Sequence, residues 1–185
     1  MLAFSYDLAN LLVRASTPLA VIVVGFYIQR QLKRMDQRYW RTNFLVERRA
    51  RTYDSMGESV NLIYSFFLYL GDWKTTSPAE VLEAKRNADR EMAVSSPLFS
   101  RKLHEAYHRF IDQCFLQWSG KGQDAKLRTG FTSRAEWEGW QQEWEESFAD
   151  ASKKVPRESI HDCYVALLRA FALEIYGDPA DRAEG

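Results

Sequence analysis

Three histidines are present in the chain, and two of them fall in His104-Glu105-Ala106-Tyr107-His108. On a helix, a four-residue step sets both imidazoles on one face, where they can grip one Zn²⁺ while Glu105 deprotonates the bound water. The third histidine, His161, follows Arg157 by one helical turn, and Arg101 precedes His108 with six residues between. Other chemistry is poorly supplied. No Ser/His/Asp set, paired catalytic carboxylates or C-x-x-C pair stands out. The loop Gly120–Gly130, with Lys121, Lys126 and Arg128, lacks the G-x-x-x-x-G-K-[ST] order of a phosphate cradle and reads as a connector.

The H-E-x-x-H motif resembles that of the zincin metalloproteases over those five positions alone. The resemblance implies His104 and His108 as zinc ligands with Glu105 as the base. Lys102 and Arg109 flank the motif where a buried zinc helix prefers uncharged neighbours, and only His161 or Glu136 offers a third ligand. The pairs Arg101/His108 and Arg157/His161 resemble the Arg/His pair of HEPN-type all-helical ribonucleases. That resemblance implies action on a scissile phosphate at a site formed across a dimer, although Arg157 and His161 enclose fewer residues than is usual there. An anchor followed by a helical domain is similar in layout to membrane-anchored HEPN-like accessory proteins of RNA-targeting CRISPR systems, some of which assemble as pores. The plainer reading of all these residues is structural: histidines on amphipathic helices and an arginine at a helix start.

The elements that must position them begin with Leu8–Ile28, the one apolar stretch long enough to cross a bilayer. At about 1.5 Å per residue it makes a helix of about 31 Å, against a hydrocarbon core of about 30 Å. Leu11, Val21, Val24 and Ile28 face lipid in this reading. Arg14 snorkels to the outer interface, and Ser16-Thr17-Pro18 permits a kink. Were several copies to assemble, a ring of Arg14 would line a polar path. A basic flank with no small-residue cleavage site argues against a signal peptide. Arg30, Lys33, Arg34, Arg38 and Arg41 follow the span, whereas only Asp7 precedes it. The positive-inside rule then places the N-terminus outside the plasma (inner) membrane and the remainder in the cytosol.

Formal charge is zero overall but uneven: residues 29–56 hold eight bases against three acids. This basic collar suits anionic headgroups, with RNA as a more demanding partner. Leu32, Met35, Tyr39, Val46 and Tyr53 recur at steps of three and four, with Thr42 and Arg49 filling the gaps. That seven-residue pattern predicts a helix continuing from the span, which either pairs with a second copy or docks on the bundle. Cys114 and Cys163 sit in apolar helical patterns and read as buried, reduced thiols.

Beyond the collar the punctuation is helical. Val60–Leu70 is nearly all apolar, too short to cross a bilayer, and reads as a buried helix. Ser77-Pro78-Ala79-Glu80 is a capping box opening a helix to about Ala93. Ser96-Pro97 opens another, carrying Leu103, Tyr107, Phe110, Ile111 and Cys114 on one face to about Ser119. Ser133-Arg134-Ala135-Glu136 forms a second box, and Pro156 starts a last helix ending at Gly177-Asp178-Pro179. Trp137, Trp140, Trp144 and Phe148 recur at helical spacing, as core packing or as anchors for a protein partner. Glu136, Glu138, Glu143, Glu145 and Glu146 would line the other faces. No segment alternates with a period of two over a useful length.

The sequence therefore predicts an all-α protein: anchor (1–28), basic juxtamembrane helix (29–56), cytosolic bundle of about five helices (57–178) and a tail (179–185). Its expected function is a membrane-tethered, self-associating interaction or effector module without a cofactor, in bacterial envelope or defence responses. The competing classes are a HEPN-like ribonuclease and, behind it, a zinc protease.

Overall fold

A computed structural model describes residues 2–118, 120–136 and 139–177, without the side chains of 2–25 and 34–41. The predicted membrane residues Leu11, Arg14, Pro18, Val21 and Val24 therefore lie outside the described side chains, as do Arg34, Arg38 and Arg41. Trp137, Ser119 and the tail 179–185 lie outside the described residues altogether. Among the described residues, no helix is long and apolar enough to cross a membrane.

The fold is all-α apart from one short hairpin. The chain divides into two compact units, 1–45 and 46–185, so the boundary falls inside the predicted collar. Helix α1 spans Leu2–Leu68, which accounts for the uninterrupted seven-residue pattern. In the first unit, Phe26, Tyr27, Ile28, Leu32, Phe44 and Leu45 are exposed, together with Arg30 and Lys33.

The second unit begins in the same helix, and there the pattern runs on through Met56, Val60, Ile63 and Phe67, all buried. Gly57 does not interrupt it. Helix α2 (Pro78–Ser95) opens on the predicted capping box, with Ser77 Oγ accepting from Glu80 N and the Glu80 carboxylate accepting from Ser77 N. These bonds satisfy two amides that a helix start otherwise leaves open. Its buried face, Val81, Ala84, Ala88 and Met92, keeps the spacing of a helix packed on one side. A 3-10 turn at Ser96–Leu98 takes Pro97, so helix α3 (Arg101–Cys114) starts after Ser100 instead. All five residues predicted for the α3 face are buried. Helix α5 (Arg157–Tyr176) begins after Pro156 and ends at Gly177, whose φ of 74° lets the chain leave the helix. The core joins the end of α1 with α2, α3 and α5.

Three expectations are corrected. Helix α3 stops at Cys114, short of Ser119, because Phe115–Leu116 (β1) pairs antiparallel with Lys126–Leu127 (β2). Buried Phe115 and Leu127 tie that hairpin to the core, overriding local helical preference. Secondly, Ser133 does not cap a helix: α4 is a single turn, Thr132–Ala135, after Phe131, with no side-chain cap bond. Thirdly, Trp140, Trp144 and Phe148 share no helix. Gly139 has φ 107°, Gln141 is extended, 142–147 form 3-10 turns, and Phe148 bridges to Leu127.

Candidate functional site

The candidate zinc residues His104, Glu105 and His108 all lie on α3. His104 Nε2 lies 3.3 Å from both the hydroxyl and the carbonyl oxygen of Ser96, and His108 is exposed, edge-on to Tyr107. Glu105 pairs with Arg101 at 2.8 Å, one turn back along α3. Among the described residues, no three His, Cys, Asp or Glu side chains are grouped to hold a metal ion. Arg101 and His108 are thus engaged separately on α3.

The second Arg/His pair lies on a more organised face. Arg157 and His161 are one turn apart on α5, and both meet tyrosines of the α1 end. The Arg157 guanidinium sits 4.0 Å from the centre of the Tyr69 ring, a cation–π distance. His161 Nδ1 is 2.8 Å from the Tyr64 hydroxyl. Tyr64 in turn stacks on Tyr164 with ring centres 3.8 Å apart.

Sequence reasoning missed the residue that organises this end of the unit, Arg134. The last turn of α1 contains no base of its own, and its carbonyls present the negative end of the helix dipole. Tyr69 leaves α1 in the left-handed region, φ 59°, and Leu70 N donates back to Ser65 O at 2.9 Å. Arg134, buried although charged, reaches in from α4. Its Nη2 donates to Phe66 O, and its Nη1 to Gly130 O at 2.8 Å and to the Tyr69 hydroxyl at 3.1 Å. The guanidinium also stacks on Phe66 and Tyr69 at 4.1 and 4.2 Å. Burial pulls its pKa down to about 10, Tyr69 pushes it up and the neighbouring Arg157 pushes it down. It remains a cation at neutral pH, and its Nε has no hydrogen-bond partner among the described residues. A left-handed tyrosine costs of order 1 kcal/mol, which the two arginines on its ring offset.

Beside Tyr69 opens a pocket of about 340 Å³ walled by Gly130, Lys154 and Arg157. A second cavity, about 290 Å³, lies between Tyr53, Gly57 and Asn61 of α1 and Tyr164, Leu168 and Phe171 of α5.

Arg49, read as a polar filler of the collar stripe, is also structural. Its guanidinium donates to Leu98 O at 2.7 Å and Glu174 O at 2.6 Å, and pairs with the Glu174 carboxylate at 2.9 Å. Glu174 also accepts from Ser100 N at 2.9 Å, holding the start of α3. Trp140 and Trp144 are half-buried in a cluster with Phe131 and Phe148. Cys114 is buried, with burial raising its thiol pKa, while Cys163 is half-buried; neither forms a disulfide.

No family model, curated protein or solved structure matches this chain.

Proposed function

We propose that the chain is a single-pass, membrane-tethered module that self-associates along α1, with its helical bundle presented in the cytosol. The observation that carries this reading is the exposed set Phe26, Tyr27, Ile28, Leu32, Phe44 and Leu45, interspersed with Arg30 and Lys33. Exposed apolar side chains in such a run mark a surface that lipid or another chain covers. The sequence supplies both coverings. Leu8–Ile28 carries a single charge, Arg14, and is followed at once by bases, the pattern of a span with its cytosolic flank. The seven-residue pattern after it suits a second copy of the same helix.

Membrane fractionation of the untagged chain, followed by mass measurement in detergent, tests both halves. Pelleting with membranes, resistance to alkaline carbonate and a defined multiple of the chain mass are expected. Material that stays in the supernatant without detergent refutes the tether, and a monomeric mass refutes self-association.

A further inference from the structure

We propose that the pocket beside Tyr69 binds the phosphoryl group of a phosphomonoester. The charges there are unbalanced. Lys154 and Arg157 line the pocket and no Asp or Glu does, among the described residues. Neither base belongs to any of the ion pairs among the described residues, which involve Arg49, Arg51, Lys85, Arg86 and Arg101. A third cation, Arg134, lies behind the wall and makes its bonds to uncharged oxygens.

The hydroxyls of the lining can donate as well. Because the Tyr69 hydroxyl accepts from Arg134, its own proton is free to donate elsewhere. Thr129 and Ser133 add hydroxyls to the lining. Arg157 brings the start of α5, whose N-cap Pro156 makes no side-chain cap bond, so the Arg157 amide is open to an anion although Glu158 follows it in the first turn. Two cations in one lining match a phosphomonoester, which carries close to two negative charges at neutral pH.

Gly130 is part of the design. A Cβ there would stand 3.1 Å from Lys154 Nζ, so a side chain at this position would make the ammonium give way by a few tenths of an ångström. Arg134 acts as a positioning residue by fixing two walls, the Gly130 carbonyl and the Tyr69 hydroxyl. The pocket belongs entirely to the second unit and its ligand does not depend on the membrane tether.

Calorimetric titration of the full chain in neutral detergent, using inorganic phosphate and glycerol 3-phosphate, tests the site. Saturable binding is expected, with competition by sulfate, of the same shape and charge, and none by acetate. K154M and R157M should each weaken binding by about tenfold, the loss of one charge-assisted contact. K154R should stay within about threefold, since charge and donors persist. G130A should weaken binding with an unchanged melting midpoint, because only a flexible lysine has to move. A parallel titration with phosphatidic acid in phosphatidylcholine nanodiscs identifies the source: binding there but not to glycerol 3-phosphate assigns a lipid headgroup, and the converse a soluble ligand. Absence of binding in both arms, equal competition by acetate, or K154M and R157M behaving as wild type would each overturn the proposal.

Discussion

Leu32 and Val60 occupy equivalent steps of one seven-residue pattern on α1, yet Leu32 is 53% exposed and Val60 only 4%. From Met56 to Phe67 the pattern is roofed by α2, α3 and α5, so its apolar side chains are the protein's own core. In the first unit, Leu32 of the pattern and its neighbours Ile28 and Leu45 are exposed. The comparison teaches that periodicity declares a face to be covered without declaring by what. A stripe buried within its own chain stabilises the fold, and a stripe left open has its contribution deferred to an assembly.

The sharpest way to break this distinction is to truncate each half. Phe67→Ala, at a fully buried position packed edge-on to Phe66 and Phe115, should cost about 4 kcal/mol of bundle stability. Leu32→Ala should leave that stability within about 0.5 kcal/mol but reduce the mass of the detergent-solubilised assembly. Urea unfolding followed by tryptophan fluorescence reads the first effect, and light scattering the second. Equal destabilisation by the two substitutions would erase the division between the halves.

Arg134 separates the regions a second way, since it closes α1 from within the second unit. Arg134→Met would leave Phe66 O and Gly130 O without their donor and remove the base bonded to the carbonyls at the helix end. A loss of about 3 kcal/mol is expected in the same unfolding measurement. Arg134→Lys should recover little of it, because an ammonium cannot stack on Phe66 and Tyr69 while bonding three oxygens. Full rescue by lysine would mean that charge alone, rather than the planar fork, holds the helix end.

What could be read from the sequence follows from how local each signal is. The box at Ser77 and Glu80 works through atoms three residues apart, the face of α3 is set by helical period, and Pro156 and Gly177 mark the ends of α5. These elements were legible. The tryptophan stripe misled because period implies a face only on a continuous helix, and Gly139 breaks this one at φ 107°. That glycine was the available warning. Nothing local announced Arg134, whose partner Phe66 is 68 residues away, or Arg49, whose partner Glu174 is 125 away. Both look like surface arginines until the fold supplies carbonyls for them. Of the basic pocket, Arg157 was visible as half of an Arg/His pair. Lys154, Gly130 and Tyr69 come together only through tertiary structure, so the pocket itself was not.

The smallest effect expected is an alkaline one, confined to the bundle. Tyr107 is buried and donates to Asp89 Oδ1 at 2.7 Å, while Asp89 also pairs with Lys85 at 2.6 Å. Burial first, then the hydrogen bond and charge of Asp89, hold the Tyr107 phenol far above its ordinary range, and burial likewise raises the Cys114 thiol. Both are acids whose protons the folded chain keeps after the unfolded chain has lost them. The folded state then binds more protons, so stability falls as pH rises past the ordinary values, about 8.5 for the thiol and about 10 for the phenol. Above its ordinary value each group contributes a slope of about 1.4 kcal/mol per pH unit. Relative to the wild type, Tyr107→Phe should reduce the loss of stability above about pH 10 and Cys114→Ala the loss that begins near pH 8.5, while Arg134, whose pKa burial pulls down to about 10, works in the opposite direction. A chain starting at Val46 should keep the contributions of Tyr107 and Cys114, because both lie in the second unit. An alkaline slope that disappears with residues 1–45 would place the titrating groups in the first unit instead, and with them the pH-sensitive core.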